Sequence, residues 1–301
     1  MNKFLSIGEV MVELADIGGV LMKKGFAGDT FNTAYYARIC LPATWDVDYL
    51  TALGTDAASD EILAFIRSTG IGTRHISRID GLSPGLYMIH LNNGERSFSY
   101  WRDHSAARQL AADENVIQQA TRDASLVYFS GITMAILPHS DRERLIGALA
   151  DARSSGKTIA FDPNIRPRLW KDKADMLSTI MQAASVSDIV LPGLDDEKAH
   201  FGDANAEATL TRYHQAGARD VILKDGANGV TLSIGGGIHQ LAAERVECVV
   251  DSTSAGDSFN GGYLARMLVG DDPVTAAGFA ARLAARVISH AGAIIGKDLL
   301  L

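Results

Sequence analysis

Two carboxylates, three small hydroxyl residues and one glycine gather in residues 251–257, DSTSAGD, immediately after an apolar run. Apolar residues then recur at helical spacing between Phe259 and Leu268, which predicts a tight turn followed by the N-terminus of a helix. Such an end presents unpaired backbone N–H groups and the positive end of the helix dipole, and both attract phosphate or another anion. The same residues would equally form an ordinary helix cap at Ser254 or Asp257, so the rest of the chain has to decide.

Phosphoryl transfer is the chemistry that this turn would perform if the anion were a transferring phosphate. Backbone amides near Ala255, Gly256 and Asp257 would stabilise the developing charge, and the Asp257 carboxylate would accept the proton of an alcohol. We expect Asp257 to be a weak base, because the helix dipole favours its charged form. Its role would then be as much to orient the hydroxyl as to remove the proton.

Short apolar runs alternate with longer amphipathic runs from about residue 125 onward, which predicts βαβ units and a parallel sheet. The short runs are SLVYFSG, TIAFDPN, DIVLPG, DVILKDG and, from residue 246, VECVVDST. Each run ends in a polar or glycine-containing turn, at Gly131 and at residues 162–164, 192–193, 224–226 and 251–253. Because the carboxyl ends of strands in an open α/β sheet lie along one edge, where ligands bind, we expect these turns to be neighbours.

The first third of the chain follows another pattern. FLSIGEVMVEL, DYLTALG, LYMIHL and RSFSYW supply further strands, and residues 92–94, Asn-Asn-Gly, predict a hairpin turn between the last two. A two-stranded ribbon is marginal alone, so it should pack on a substrate, another subunit or the main sheet. We therefore expect one domain over residues 1–301, with a small lid formed by parts of residues 9–28 and 82–104.

Composition narrows the classes of partner. The chain has 301 residues, 47% of them apolar, and a net charge of -8 from 28 basic and 36 acidic residues, which is typical of a folded globular protein. It contains no run of Lys and Arg that would follow a nucleic-acid backbone, so nucleic acid is not an expected partner. An acidic protein that binds an anion must do so with a few locally placed cations and amides.

Several other classes are disfavoured by missing patterns. The N-terminus lacks the apolar core of a signal peptide, and no apolar run is long enough to span a membrane. Cys40 and Cys248 lie beside apolar residues, so we expect two buried reduced thiols and a cytoplasmic location. The histidines have no metal-ligand spacing. Neither G-x-x-x-x-G-K-[ST] nor G-x-G-x-x-G occurs, which argues against a P-loop kinase and a dinucleotide-dependent dehydrogenase.

DSTSAGDSFNGGYLA, from residue 251, resembles the C-terminal signature of the ribokinase-like (PfkB) carbohydrate kinases. GFAGDTFNTAYYAR and LKDGANGV resemble the sugar-binding turn and the nucleotide-binding loop of that family, so the similarity covers essentially the whole chain. The resemblance implies a three-layer α/β sandwich with a mostly parallel sheet and a β-lid, which relatives often use to form dimers. It also implies ATP and Mg²⁺, and leaves a monovalent cation open.

The resemblance assigns roles to residues that match the motifs. Asp257 would be the catalytic base beside the amides of Ser254, Ala255 and Gly256, with Ser254 standing where relatives commonly have glycine. The nucleotide would be bound by Asn164, Arg166, Lys224, Gly226, Gly229, Ser254 and Gly256. Glu197 would serve Mg²⁺ indirectly, although Leu194 stands where many relatives have the asparagine of an N-x-x-E motif, which leaves that role open.

AGDTFNTA, GERSFSYWRDHSAA and FDPNIRPRLW are similar to the family's kinases of 2-keto-3-deoxygluconate. On that match the sugar would contact Gly28, Asp29, Asn32, Tyr87, Tyr100, Arg102 and Arg166, and either guanidinium would suit the sugar's carboxylate by two parallel hydrogen bonds. Each residue also has a purely structural interpretation. Arg102 could form an exposed pair with Asp103, the tyrosines could pack, and Asp29 and Asn32 could cap a helix.

The expected reaction is therefore ATP-dependent phosphorylation of the C6 hydroxyl of 2-keto-3-deoxygluconate, giving 2-keto-3-deoxy-6-phosphogluconate and ADP. Two alternatives stay open: a kinase for another sugar such as fructose, and a non-catalytic sugar-binding regulator on the same fold. The sequence does not separate the sugar acid from its C4 epimer. A homo-oligomer formed through the lid is expected, without nucleic acid or membrane.

Overall fold

The computed structural model describes residues 2–18, 20–92 and 95–300. Over these residues the strands are β1 (Lys3–Ile7), β2 (Met11–Asp16), β3 (Met22–Ala27), β4 (Asp46–Gly54), β5 (Gly72–Ile79), β6 (Leu86–Asn92), β7 (Glu95–Trp101), β8 (Leu126–Ser130), β9 (Thr158–Asp162), β10 (Ile189–Val190), β11 (Asp220–Lys224), β12 (Val230–Ile234) and β13 (Gly237–Leu241). The helices are α1 (Asp29–Cys40), α2 (Ala57–Ser68), α3 (Glu114–Asp123), α4 (Gly131–Ile136), α5 (His139–Ser154), α6 (Lys173–Ser185), α7 (Leu194–Phe201), α8 (Ala206–Ala216), α9 (Ala255–Leu268) and α10 (Pro273–Ile288).

Within the described ranges, nine strands form one large sheet in the order β13-β12-β11-β10-β9-β8-β1-β4-β5. All pairs from β11 to β5 are parallel, and β12 and β13 add an antiparallel edge. β1 lies between β4 and β8. The chain therefore adds β4 and β5 on one side of β1 and later adds β8 to β11 on its other side. A crevice opens beyond the carboxyl ends of the strands at such a switch point.

Two helical layers cover the large sheet. Helices α1, α2, α9 and α10 pack on one face around Phe31, Tyr49 and Phe259, while α3 to α6 and α8 pack on the other around Phe129 and Phe161. The strands between them read as continuous apolar runs because both of their faces are buried. The predicted three-layer α/β architecture is confirmed.

Helices α1, α9 and α10 approach one another closely at two adjacent glycines of α9. A Cβ atom on Gly261 would lie 2.6 Å from the carbonyl oxygen of Thr33 in α1, and one on Gly262 would lie 2.8 Å from Leu283 in α10. A glycine inside a helix costs about 1 kcal/mol relative to alanine, and the contact with a neighbouring helix offsets that cost. Packing of helix on helix therefore explains the two residues.

A second sheet of four strands, in the order β3-β2-β6-β7, is formed by the described residues of the first third. Strand β2 pairs antiparallel with β3 and parallel with β6, and β6 pairs antiparallel with β7. Tyr87 and Ile89 are buried on one face of this sheet, whereas Trp101 is 57% exposed. The predicted hairpin is thus half of a larger sheet, and its turn residues Asn93 and Gly94 lie outside the described residues.

Three sequence predictions need correction. FLSIGEVMVEL forms two strands in different sheets, β1 and β2, instead of one. Residues 246–250 form no strand, because β13 already occupies the sheet edge and the N–H of Val250 donates to the carbonyl of Ile288 at the end of α10. Cys248 lies in this segment and is exposed, so only Cys40 is substantially shielded from solvent. Among the helices of the described ranges, none combines the length and apolarity needed to cross a bilayer.

Candidate active site

A cavity of about 560 Å³ opens at the carboxyl ends of the parallel strands, under the small sheet. It is lined by turns that follow β1, β9, β10 and β11 and by the first turn of α9, as the sheet-edge rule leads one to expect. Most of the residues predicted for a site lie on its wall: Gly28, Asp29, Asn32, Tyr87, Tyr100, Arg102, Asn164, Arg166, Lys224, Gly226, Ser254, Ala255, Gly256 and Asp257.

The N-terminus of α9 points at this cavity. Ser254 precedes the helix in a left-handed conformation, with a φ of 66°, and its side chain forms no capping hydrogen bond. A left-handed backbone suits glycine, which accounts for the glycine that relatives commonly have there. The Ser254 hydroxyl is buried without a hydrogen-bond partner, so it is free to meet a ligand, and the interpretation of Ser254 as an ordinary cap is wrong.

The first turn of α9 supplies the backbone donors. The N–H of Ala255 turns back to the carbonyl of Ser252 across 3.3 Å. The N–H groups of Gly256 and Asp257 have no intrahelical partner at these positions and lie on the cavity wall. A bound anion would therefore be held mainly by these two amides, with the amide of Ala255 partly engaged within the turn.

Asp257 lies at the floor of the cavity and is partly buried. Its Oδ2 accepts a hydrogen bond from Nδ2 of Asn32 across 2.8 Å. Burial, followed by the negative charges of Asp29 and Asp162, raises the pKa of Asp257 to about 7, although Asn32 and Lys224 act in the opposite direction. The weak base expected from the helix dipole is thus wrong, because desolvation outweighs the dipole, and the carboxyl is suited to take up a proton near neutral pH.

The N-terminus of α1 forms the adjoining wall. Asp29 is the first residue of α1 and accepts a hydrogen bond from Nδ2 of Asn164 across 2.9 Å. Burial raises the pKa of Asp29, against the hydrogen bonds from Ser130 and Asn164. Asn32, one turn further on, accepts the N–H of Gly28 across 3.3 Å. The two side chains therefore hold the turns after β3 and β9 beside Asp257, and each does more than cap a helix.

Arg102 and Glu9 form an ion pair in which each side chain is more than nine-tenths buried. Its guanidinium donates from a terminal nitrogen to Oε2 of Glu9, so the alternative of an exposed pair with Asp103 is wrong. Nε of Arg102 and Oε1 of Glu9 are buried without partners. Since buried polar groups normally have partners, these two atoms mark where a polar ligand would complete the pair.

Two tyrosines of the small sheet lie on the same side of the cavity. The Tyr87 hydroxyl donates to Glu13, so it is already engaged in the protein. The Tyr100 ring lies 5.9 Å from that of Tyr87 and is about half exposed. Tyr87 therefore has a packing role at least, whereas Tyr100 presents a free face to the cavity.

Arg166 is the second arginine on the cavity wall and, unlike Arg102, it is exposed. Its side chain is 51% exposed and lies 3.4 Å from Oδ2 of Asp196, and it also donates to the carbonyl of Ile165. An ion pair at this exposure contributes little to stability. The guanidinium is consequently available to an anionic ligand in the cavity.

Lys224 ends β11 with its ammonium below the first turn of α9. Nζ donates to Oδ2 of Asp162 across 2.8 Å and to Oδ1 of Asn260 across 3.1 Å. A Cβ atom on Gly256 would lie 3.5 Å from the same Nζ. The cavity therefore has a cation close to the amides that would bind an anion.

Two residues predicted for the site lie away from the cavity wall. Gly229 closes the turn between β11 and β12 with a φ of 105°, and a Cβ atom there would collide with the carbonyl of Leu241. Glu197 is a fully buried residue of α7, and its carboxyl accepts hydrogen bonds from Arg212 at 2.6 Å and Tyr213 at 2.9 Å. With both oxygens engaged and no place on the cavity wall, Glu197 does not fit direct ligation of a metal ion, and its indirect role stays a prediction.

Sequence reasoning missed Glu9, Asp196 and Asn260 as site residues. Glu9 lies two residues after β1, and Asp196 lies in the first turn of α7, shortly after β10, so the sheet-edge rule could have found both. Asn260 lies one turn after Asp257 on the same helix, and helical spacing is the signal that could have found it.

The open α/β sheet, the carboxyl beside a helix N-terminus and the second sheet over the cavity together define a phosphotransferase of ribokinase-like fold. The chain matches the family model described as pfkB family carbohydrate kinase over residues 1–299 and belongs to that family. It is therefore a sugar kinase by family.

Named relatives are similar over nearly their whole length. The chain is 39% identical to the 2-dehydro-3-deoxygluconokinase of Escherichia coli strain K12, covering 99% of this chain and 98% of the relative. It is 40% identical to the enzyme of the same name from Dickeya dadantii strain 3937, over 96% and 95% of the two chains. The fold is also that of a candidate Ribokinase II from E. coli solved with ATP and Mg²⁺, with a TM-score of 0.85 at 21% identity over 97% and 94% of the chains.

Proposed function

We propose that this chain transfers the γ-phosphoryl group of ATP to the C6 hydroxyl of 2-dehydro-3-deoxygluconate, the sugar acid also called 2-keto-3-deoxygluconate. Near full-length similarity to kinases named for this sugar supports the assignment. The observation that carries it is the partly buried Asp257 carboxyl, with a pKa raised to about 7, in the first turn of α9. Base and anion site lie in one turn of helix, which is the arrangement that phosphoryl transfer to an alcohol requires.

The reaction follows from that arrangement. Asn32 holds Oδ2 of Asp257, so Oδ1 is the atom that accepts the proton from the C6 hydroxyl. The C6 oxygen forms a bond to the γ-phosphorus while the bond from that phosphorus to the β,γ-bridging oxygen breaks, and ADP leaves with the electron pair. The amides of Gly256 and Asp257 stabilise the charge on the transferring group, because they are fixed before the charge develops.

The nucleotide phosphates would lie between the first turn of α9 and the turn after β11. The Ser254 hydroxyl, the Gly256 amide and the Lys224 ammonium face this region, and Gly226, Asn164 and Arg166 line the same cavity. The unpartnered Ser254 hydroxyl supports the fit, since it lacks the hydrogen bond that a phosphate oxygen would supply.

Mg²⁺ would neutralise charge on the nucleotide phosphates when it is bound. No group of three or more His, Cys, Asp or Glu side chains in the described part of the chain could hold a metal alone, and this fits an ion that arrives on the nucleotide with much of its water shell. Asp196, on the cavity wall, is the carboxylate that fits that shell better than the engaged Glu197. A need for a monovalent cation stays a prediction, to be tested by activity with and without K⁺.

The carboxylate of the sugar acid would be bound by Arg102 and Arg166. Arg102 has a buried Nε without a partner, and Arg166 has only one loose ion pair. Asp29 would accept a sugar hydroxyl, and the exposed Tyr100 ring would cover the sugar. Two guanidiniums on the cavity wall favour an acid over fructose, because a carboxylate can accept two parallel hydrogen bonds from a guanidinium and a neutral sugar cannot.

The small sheet would act as the lid in a single domain, since it carries Tyr87, Tyr100 and Arg102 over the cavity. Ile17, Val20 and Leu21 are more than half exposed at the turn between β2 and β3, and we propose that a second copy of the chain covers this patch. Light scattering on Leu21→Asp and on the unchanged protein would test the homo-oligomer. Because the reaction consumes ATP, we place it in the cytoplasm.

A substrate panel tests the proposed function. Purified protein with ATP and Mg²⁺ should release ADP with 2-keto-3-deoxygluconate at a kcat/KM at least about tenfold above that with fructose, since a paired guanidinium contributes more than about 1.4 kcal/mol. Gluconate and the C4 epimer keep the carboxylate, so their kcat/KM values measure how far the rest of the sugar is recognised. ADP release with fructose alone would favour the neutral-sugar kinase. Sugar binding by calorimetry without ADP release would favour the non-catalytic regulator.

A further inference from the structure

The amide of Asn260 lies behind the proposed phosphate site and is fully buried. Its Oδ1 accepts a hydrogen bond from Nζ of Lys224 across 3.1 Å, and its Nδ2 donates to Oδ2 of Asp162 across 2.6 Å and to the hydroxyl of Tyr128 across 3.1 Å. Both ends of one amide are therefore occupied by groups that come from three different strands.

We infer that Asn260 is a positioning residue that fixes the Lys224 ammonium beneath the γ-phosphate site. This inference rests on the proposed function, because it assumes that the first turn of α9 binds the nucleotide phosphates. The residue acts through Lys224 and does not itself touch the nucleotide.

Charge explains why an amide stands at this position. Lys224 and Asp162 attract each other directly, with Nζ 2.8 Å from Oδ2. Without a second partner, the lysine ammonium would move toward the carboxylate and away from the anion site. Asn260 accepts one N–H of the ammonium and donates to the same Asp162 oxygen, so it shares the carboxylate with the lysine. A carboxylate at position 260 would add a second charge next to Asp162, and an apolar residue would leave Asp162 with one donor fewer.

Geometry leaves one donor of Lys224 for a ligand. An ammonium has three N–H groups, and Asp162 and Asn260 take two of them. Nζ lies 3.5 Å from the position that a Cβ of Gly256 would occupy, so the third N–H lies beside the amides of the first turn of α9. The lysine thereby becomes a fixed cation at the anion site rather than a mobile one.

Nucleotide binding in the absence of sugar tests this inference. Calorimetric titration of the Mg²⁺ complexes of a non-hydrolysable ATP analogue and of ADP would compare the unchanged protein with Asn260→Ala, Lys224→Met and the double variant. Loss of one charge-assisted hydrogen bond predicts that Asn260→Ala weakens ATP-analogue binding about tenfold and ADP binding by less than about twofold. In the Lys224→Met background, Asn260→Ala should have almost no further effect, because residues that act through one another are not additive.

Tyr128→Phe is the matched control. It removes the one hydrogen bond of Asn260 that does not involve the ion pair, and it should leave the affinity for the ATP analogue unchanged. If Asn260→Ala does not fold, as judged by its melting transition, Asn260→Ser takes its place, because a hydroxyl retains a smaller polar group at the same point.

Additive losses in the double variant, or equal losses for ATP analogue and ADP, would overturn the inference and leave Asn260 with a purely structural role. Since no sugar is present in these titrations, a failure to phosphorylate 2-keto-3-deoxygluconate would contradict the proposed function without affecting this result. If the unchanged protein bound no nucleotide, the phosphate site itself would be refuted and the inference with it.

Discussion

Nδ2 of Asn32 donates to Oδ2 of Asp257 across 2.8 Å, and this hydrogen bond joins two residues that lie 225 positions apart in the chain. It connects the first turn of α1, where the sugar would bind, with the first turn of α9, where the phosphate would bind. Thr33 strengthens the connection by donating to the carbonyl of Asp257 across 3.2 Å. The orientation of the proposed base is therefore set by α1.

Asp257→Asn should abolish phosphoryl transfer while leaving nucleotide binding intact. The amide keeps the shape of the carboxyl but does not accept a proton, and loss of a positioned general base reduces kcat by about 10² to 10⁴-fold. Steady-state kinetics with 2-keto-3-deoxygluconate and calorimetric titration with ADP would measure the two effects. Full activity in this variant would refute the role of Asp257.

The pH dependence of kcat/KM should show an acid limb near pH 7. Asp257 acts as a base only when ionised, and its pKa is raised to about 7 by burial and by Asp29 and Asp162, so the rate should fall as the pH drops below that value. Mg²⁺ in excess keeps the nucleotide in one form through the titration. An acid limb near pH 4 would instead indicate that the helix dipole dominates.

Asp257→Asn should also stabilise the folded protein at high pH. The folded pKa of Asp257 is raised above 3.8 to about 7, so between these values the unfolded chain loses the proton while the folded chain retains it. Ionisation thus penalises folding increasingly from pH 4 to pH 7, by up to roughly 4 kcal/mol. The melting temperature of Asp257→Asn should exceed that of the unchanged protein at pH 8 and converge with it near pH 4, and equal melting temperatures at both would contradict this.

The two arginines should respond differently to removal. Arg166→Ala deletes a half-exposed guanidinium and should raise the KM for the sugar acid about tenfold with little change in melting temperature. Arg102→Met leaves Glu9 buried without its partner and should lower stability by about 3 to 5 kcal/mol as well. The double variant Glu9→Gln/Arg102→Met should recover stability but not sugar affinity. If Arg166→Ala raised only the KM for ATP, Arg166 would serve the nucleotide instead.

Glu197→Gln should leave the Mg²⁺ requirement unchanged. The carboxyl is bound by Arg212 and Tyr213 and, because of burial, its pKa is raised to about 7, so the amide mainly loses attraction to Arg212. We expect the Mg²⁺ concentration for half-maximal activity to stay within about twofold, and Glu197→Ala to lower stability by about 3 kcal/mol. A large rise in that Mg²⁺ concentration for Glu197→Gln would restore the metal role suggested by the sequence.

Local patterns predict much of this molecule. The turn and helix from residue 251 onward, the strands that end in polar turns and the gathering of those turns at one sheet edge all follow from residue spacing and from the rule for parallel sheets. Arg102, Lys224 and Asp257 are candidates on these grounds because they lie at the ends of predicted strands or at a helix start.

The features that the sequence does not predict depend on contacts between residues far apart in the chain. Glu9 and Arg102 pair across 93 positions, and no periodicity indicates such a pair. The pKa of Asp257 depends on burial by other segments, whereas the helix dipole is the only contribution that its own neighbours reveal. Residues 246–250 read as a strand because valines favour one, yet the sheet edge beside them is already occupied.

The close approach of α1 and α9 at Gly261 has an implication for how this enzyme could acquire new substrates. Since the carbonyl of Thr33 lies where a larger side chain at position 261 would project, this close packing fixes α1 relative to α9, the two helices that would hold the acceptor and the donor. Changes in sugar preference would then arise in the small sheet and in Arg102 and Arg166, while the reacting atoms keep one alignment. A designer seeking a different sugar specificity would accordingly change the small sheet and these arginines, and would leave α1 and α9 unaltered.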